Sequence, residues 1–368
     1  MVNEAALKEY LLQRFHDVTQ VNISGLGSGV QGSGFLIEMS TQTGIRSYVI
    51  KTLVPEGLGH DYPSDRAAVF LLDFDEYNNL PRHVKAVDVL SEKGDGSLKS
   101  ISGGKEYYLL MERAGGESYF KDLDGFSTKE RLDETDIERI KAMTAYLAGI
   151  HSVKKNSRPL YLRKIRDTVG HGECLMGVFD AYPQGVLPDE EMAGIIKKSV
   201  DWIVKLKPKY ERLSQIHGDF HPGNIWFQET GGITTARGET TVSQHPATNG
   251  ETVFTLLDRS RGPWGEPADD LTALTINYIF FSLKHHGEIV GPYLEGLKLF
   301  IDEYVRLSGD GEIMEVVAPF FAFRGAVVAN PVFYPEITVE QRALIFRFVH
   351  NVLDDDRFRY ASVHYYLR

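Results

Sequence analysis

The sequence of 368 residues holds a single cysteine, Cys174. That excludes an intramolecular disulfide and any cysteine-rich zinc site. Long apolar runs are missing too, since no uninterrupted stretch approaches the roughly 18 residues of a membrane-spanning helix. Nor is there a surplus of basic charge. Forty Lys and Arg stand against 51 Asp and Glu, a formal net charge of −11, whereas a nucleic-acid partner demands concentrated Lys and Arg. The acidity is compatible with a cationic substrate, although many soluble proteins are acidic without one. The first residues, MVNEAALKEYLLQRF, lack the basic-then-apolar layout of a signal peptide. The expectation is a cytoplasmic protein without membrane or nucleic-acid partners.

What is present suits a globular enzyme: 42% hydrophobic and 25% charged residues, on a chain long enough for two or three units with their own cores. Residues 4–15 carry Leu7, Tyr10, Leu11 and Leu12 on one stripe and predict a helix. VTQVNISGL, FLIEMS and RSYVIKTLV then read as strands. A turn at Asp61–Ser64 precedes a predicted helix to about Leu80, with Ser64 or Asp65 as its cap. Further strands are predicted at Ala86–Leu90 and Tyr107–Arg113.

Beyond Gly115-Gly116 the texture becomes helical, first through Ile137, Ile140, Met143, Leu147 and Ile150. Further helical patterns follow at 188–207, 270–285, 292–307, 313–329 and 338–353. The stretch 229–250 is rich in Gly, Thr and Ser and reads as a loop or hairpin. The fold class expected is α+β, with a small β-rich N-terminal lobe over 1–113 and a larger, mainly helical lobe over 114–368.

The densest chemistry lies in His217-Gly218-Asp219-Phe220-His221-Pro222-Gly223-Asn224. An Asp followed five positions later by an Asn is the spacing of a kinase catalytic loop. One carboxylate accepts the proton of a substrate hydroxyl while a nearby amide oxygen coordinates Mg²⁺. Gly218 and Gly223 permit the sharp backbone that aims both side chains at one point. A second carboxylate, Asp258, ends the apolar segment Leu256-Leu257-Asp258, and Asp270 reads as the N-cap of the next helix.

The blocks HGDFHPGN and LLDRSRGPWGEPADDLTAL resemble the signature pair of the aminoglycoside phosphotransferase and choline kinase-like family. LAGIHS at 147–152 is similar to the family's helix before the catalytic loop, and YYLLMERAGG to its lobe-linking segment. The resemblance implies a protein-kinase-like two-lobe fold, ATP and Mg²⁺ as cofactors, and a small hydroxylated molecule as phosphate acceptor. It also implies Asp219 as catalytic base, Asn224 and Asp258 as metal ligands, and His217 and His221 as structural members of the loop.

The nucleotide end has its own pattern. Gly27-Ser28-Gly29-Val30-Gln31-Gly32 fits G-x-G-x-x-G and runs into a strand, the arrangement of a kinase glycine hairpin rather than of a dinucleotide fold. Gly34 stands where the kinase pattern has Val. Lys51 in Val49-Ile50-Lys51 matches the strand lysine of the phosphates. Glu76 is its expected partner, with Asp73 and Asp75 as alternatives, and the segment Leu109–Arg113, with Glu112, is expected against the adenine.

Plainer readings stand beside these. Asp219 and Asn224 could stabilise a turn, and the H-x-D-x-H of His217, Asp219 and His221 could ligate a metal in a hydrolase. The whole could be a non-catalytic nucleotide-binding module. His151 reads as a buried, hydrogen-bonded residue and Cys174 as inert. Trp264, Tyr278, Phe280 and Tyr293 read as core ahead of an aromatic wall for a cation. Arg259 and Arg261 either balance phosphate charge or brace the metal segment.

Overall fold

Helix α1 (Glu4–Arg14) starts where the Asn3 side chain accepts from the Ala6 amide, and its apolar stripe turns Leu7 and Leu11 inward. The stripe packs on an antiparallel sheet of β1 (Val18–Ser28), β2 (Gly32–Thr41) and β3 (Gly44–Leu53), in the order β1-β2-β3. Val18, Val21, Ile37 and Met39 complete this small core. The structure, a computed structural model, describes residues 3–28, 32–55, 59–79, 84–104, 109, 111, 114–228, 252–259 and 261–368. The chain divides into two compact units, Met1–Met111 and Glu112–Arg368.

In the first unit the register pairs Ile23 with Ile37 and Gly34 with Lys51. It slips between Gly25 and Gly27, where Gly27 takes a positive φ of 113°, so a bulge needing glycine sits at the first residue of the glycine cluster. Helix α2 (Pro63–Tyr77) has Tyr62 as its N-cap. Ser64 and Asp65, the caps expected from sequence, lie inside the first turn. Asp65 acts from there, accepting the Tyr62 amide at 2.7 Å.

The strand expected at Ala86–Leu90 is also displaced, to a hairpin of β4 (Leu90–Glu92) and β5 (Leu98–Ser100). The preceding residues are fixed by side chains instead: the Asp88 carboxylate accepts from the Val89 amide, the hydroxyls of Ser100 and Ser102, and Tyr10. Of the strand expected at Tyr107–Arg113, only Leu109 and Met111 are among the described residues.

The second unit is mainly helical. Short β6 (Glu117–Ser118) and α3 (Phe120–Gly125) precede α4 (Glu134–His151), which opens on a capping box between Asp133 and Asp136. Next come α5 (Arg158–Gly170), α6 (Leu175–Asp180) and α7 (Asp189–Leu206), of which only α7 was expected from periodicity. β7 (Ser214–Gln215), β8 (Ile225–Phe227), β9 (Phe254–Leu256) and β10 (Trp264–Gly265) follow.

Four helices then match the remaining periodic stretches: α8 (Pro267–His286), α9 (Gly291–Ser308), α10 (Ala318–Ala329) and α11 (Val339–Asp354). α8 is buried from Pro267 to Leu283 without a polar face, as a central helix must be. Tyr278, Phe280 and Tyr293 are fully buried core residues. The stretch 229–250 lies outside the described residues. The α+β class holds: a β-rich N-terminal unit and a larger helical one. No described helix is long and apolar enough to cross a membrane.

Candidate active site

Two short antiparallel pairings frame the loop His217–Asn224. At its start Gln215 pairs with Trp264, and at its end Ile225 pairs with Leu256. The Ile216 amide donates to the Pro263 carbonyl at 3.0 Å, and the Leu257 amide to the Asn224 carbonyl at 2.9 Å. The segments 254–257 and 263–265 thus run antiparallel along 214–227, which brings Asp258 beside Asn224 although they are 34 positions apart in the sequence. Asp258 has a φ of 50°, the one positive φ of a non-glycine among the described residues. Such strain persists where the surroundings enforce it.

Within the loop both histidines turn to the backbone. His217 Nδ1 accepts the Asp219 amide at 3.2 Å, and His221 Nδ1 accepts the Gly223 amide at 3.1 Å. Gly218 has a φ of 90°, open to glycine and strained for other residues. Among the described residues no group of three or more His, Cys, Asp or Glu could hold a metal ion, the H-x-D-x-H triplet included. Asn224 Nδ2 donates to the Asp219 carbonyl at 3.0 Å.

Asp270 is not the helix cap expected from sequence. Glu266 occupies that position, and Asp270 lies at the end of the first turn of α8. Its two oxygens accept the amides of His217 and Gly218, each at 2.7 Å. His151 stands behind it, with Nε2 3.1 Å from the same carboxylate and Nδ1 2.8 Å from the Tyr304 hydroxyl. His151 is therefore the buried, hydrogen-bonded residue it was read to be. Asp270 in turn anchors the start of the loop to the N-terminal end of α8.

The Asp219 carboxylate is buried among cations. Arg324, on α10, donates from Nη1 to its Oδ1 at 2.5 Å, and Arg261 Nη1 lies 3.4 Å from the same oxygen. His221 Nε2 is 3.9 Å from Oδ2. Burial alone would raise the Asp219 pKa, but the guanidiniums of Arg324 and Arg261 outweigh it and hold the group below the ordinary carboxylate range. Arg324 also donates to Asp269 at 2.7 Å and to the Gly218 carbonyl at 3.0 Å. Lys164 pairs with Asp269 from the other side at 2.8 Å. Burial opposes ionisation of Asp269 too, yet Lys164 and Arg324 bring its pKa down to about 2.

Neither Arg324 nor Lys164 figured among the residues expected from sequence. Arg324 left a signal, as the only charge in the apolar helix APFFAFRGAVVA. Lys164 left none, because α5 carries several basic residues. Arg259 braces the segment, donating to the Ile216 carbonyl from Nε and Nη2 at 3.1 and 2.8 Å. Cys174 is buried, which pushes its thiol up to about 11.

The nucleotide-end candidates lie in the first unit. Lys51, on β3, is exposed on the face away from Tyr48 and Ile50, which pack on the small core. Glu76 is exposed on α2, as is Asp75, with Asp73 half-buried. Among the described residues Lys51 pairs with none of the three acids. Gly27 and Gly32 lie at facing ends of β1 and β2. Gly29 and Glu112 lie outside the described residues.

Several solved structures are similar. Among them are an ethanolamine kinase of Plasmodium vivax (12% identity, TM-score 0.32, 98% of this chain and 85% of that one), the GDP complex of aminoglycoside 2'-phosphotransferase-IIIa (12%, 0.30, 96% and 98%), and a glucosamine kinase (12%, 0.32, 90% and 95%). No curated protein matches the sequence. The sequence profile described as "Phosphotransferase enzyme family" matches residues 41–236. That is 196 of 368 residues, with HGDFHPGN inside the match. The chain belongs to that phosphotransferase family.

Proposed function

We propose that the chain transfers the γ-phosphoryl group of ATP, with Mg²⁺, to a hydroxyl of a small molecule. The observation that carries this reading is the antiparallel frame in which the Asn224 carbonyl accepts the amide of Leu257, the residue before Asp258. Mg²⁺ takes hard oxygen ligands and keeps waters and phosphate oxygens, so one amide oxygen and one carboxylate from the protein suffice. Asn224 fits, because its Nδ2 is taken by the Asp219 carbonyl and the amide oxygen is left to accept a cation. Asp258, an exposed residue, supplies the carboxylate. Mg²⁺ held by these two residues would neutralise charge developing on the transferred group.

Asp219 acts as the base in this reading. Arg324 donates to Oδ1 and Arg261 lies 3.4 Å from the same oxygen, which leaves Oδ2 to orient the acceptor hydroxyl and take its proton. Its lowered pKa keeps Asp219 ionised throughout the neutral range. Asp270 and Gly218 hold the loop that aims it. At the nucleotide end, Lys51 contacts the phosphates under a glycine hairpin of Gly27, Gly29 and Gly32. In this reading Glu76, which does not pair with Lys51 in the structure, fixes it once the nucleotide is bound, and the segment containing Glu112 is assigned to the adenine. A cytoplasmic location, where ATP and Mg²⁺ are supplied, goes with this reading.

The test is Mg²⁺-dependent ATP consumption against a panel of hydroxylated acceptors, with Asp219→Ala as control. The variant is expected to lower kcat by roughly 10²–10⁴-fold, the usual worth of a positioned general base. An unchanged kcat in a folded Asp219→Ala protein would sink the assignment.

A further inference from the structure

We propose that Arg261 binds an anionic group of the acceptor, so that the acceptor is a hydroxylated oxyanion, a carboxylate or a phosphate ester, and not an amine. The inference rests on the phosphotransferase reading and specifies its substrate class. Three cations and two carboxylates meet at the base: Arg324, Lys164 and Arg261 against Asp219 and Asp269.

Two of the cations are held by close carboxylate contacts, although the Nε of Arg324 is buried without a hydrogen-bond partner. Arg324 bonds Asp219, Asp269 and the Gly218 carbonyl. Lys164 bonds Asp269 and, at 3.4 Å, the Arg261 carbonyl. Arg261 is the remainder. Its one carboxylate neighbour among the described residues is Asp219, on the oxygen that Arg324 already holds a full 0.9 Å closer (3.4 against 2.5 Å). Its Nε and Nη1 are buried and have no hydrogen-bond partner among the described residues.

The surrounding charges do not supply a partner. Asp270 is taken by two loop amides and His151, and Arg259 by the Ile216 and Pro263 carbonyls. The Arg261 guanidinium is held in place by the Phe323 ring, 5.0 Å from its centroid, and the side chain as a whole keeps 19% of its surface open, while Nε and Nη1 are closed to solvent. Guanidinium cannot shed its charge, and buried charge is costly without a partner. A fixed, incompletely paired guanidinium beside the proposed base offers Nη2 to an oxygen of a carboxylate or phosphate, and a small shift of the side chain would bring a second nitrogen into the two-oxygen geometry such groups favour. An ammonium there would meet a local excess of positive charge. The net charge of −11 describes the whole surface and not this site.

The test uses the full chain with Mg²⁺ and compares matched probes: gluconate, glycerate, glucose 6-phosphate and glycerol 3-phosphate against glucose, glycerol, glucosamine and ethanolamine. With a non-hydrolysable ATP analogue, at least one anionic probe is expected to raise the wild-type Tm while its neutral and cationic counterparts do not. In turnover that probe should show at least about tenfold higher kcat/KM, the worth of a single charge-assisted hydrogen bond. Arg261→Gln should raise its KM at least tenfold with the KM for ATP held within about twofold, and Arg261→Lys should recover part of the loss. Which anion responds separates carboxylate from phosphate ester.

Preference for an amine, a shift in the KM for ATP in place of the acceptor's, or equal Tm responses of wild type and Arg261→Gln to every anion would each overturn the proposal. Stabilisation by Mg²⁺ and the nucleotide analogue without any acceptor reports on the phosphotransferase reading alone.

Discussion

Arg324 donates from Nη1 to Asp219 Oδ1 at 2.5 Å, joining two buried side chains 105 positions apart. The second nitrogen of the same guanidinium reaches Asp269 and the Gly218 carbonyl. A single residue of α10 thus fixes the rotamer of Asp219, the backbone before it and the first turn of α8. Fixing the oxygen by a cation also sets its basicity, because the charged form of Asp219 is favoured by the partner that orients it.

Arg324→Met keeps much of the side-chain length and removes the charge. Asp219 would then stay buried with only the more distant Arg261, and Asp269 with only Lys164. Breaking a buried ion pair from one side costs about 3–5 kcal/mol, and because Lys164 remains, the lower end is expected. Urea unfolding measures it, and a loss under about 1 kcal/mol would mean the pairs contribute little. The acid limb of kcat/KM should move to higher pH, since the carboxylate loses the first of the cations that hold its pKa down.

Asp258→Asn separates charge from backbone. Asn tolerates a positive φ better than Ala does, so the 50° at this position adds little strain to the variant. Activity dependent on Mg²⁺ is expected to fall by at least roughly 10²-fold, several kcal/mol of charge stabilisation being at stake. Thermal stability should stay near that of wild type. Full turnover at saturating Mg²⁺ would refute the metal role.

The proposed catalytic loop, His217–Asn224, stood out in the sequence because its polar residues are packed into eight consecutive positions, and the later helices because their apolar periodicity is strong. Asp258 could be matched to Asn224 from its place after an apolar strand, and the β8–β9 pairing gives the physical reason. Arg324 left only its lone charge in an apolar helix as a signal, and Lys164 and Asp269 left none, since ion pairs between distant helices leave no local spacing to read. Asp270 misled in an instructive way. An acid opening a helix reads as a cap, whereas its carboxylate here points away from its own helix to the amides of another segment. The short β4–β5 hairpin escaped for a similar reason, as side chains around Asp88 fix the chain where a ladder was expected.

Asp270→Asn tests that brace directly. The carboxylate accepts the amides of His217 and Gly218 with its two oxygens, and a carboxamide can accept with only one. One buried amide would face an NH₂ group, at a cost of about 1–3 kcal/mol. Hydrogen exchange at the His217 and Gly218 amides should accelerate, and kcat should fall more than the KM for ATP rises. Unchanged exchange at both amides would show that other contacts hold the loop.

The acid limit of stability follows from Asp269. Its folded pKa of about 2 lies below the ordinary 3.8, so the native state favours the ionised form. Stability from this group is fully present above about pH 4 and is lost as the pH falls towards 2, because the unfolded chain takes up the proton first. The shift corresponds to about 2 kcal/mol at 1.36 kcal/mol per unit, and the lowered Asp219 acts in the same direction. Asp269→Asn leaves Arg324 and Lys164 short of a partner at every pH, so it should be less stable throughout. The gap to wild type should narrow by about 2 kcal/mol between pH 5 and pH 2 in urea unfolding. A gap that stays constant over that interval would mean that Asp269 is not held ionised by Lys164 and Arg324.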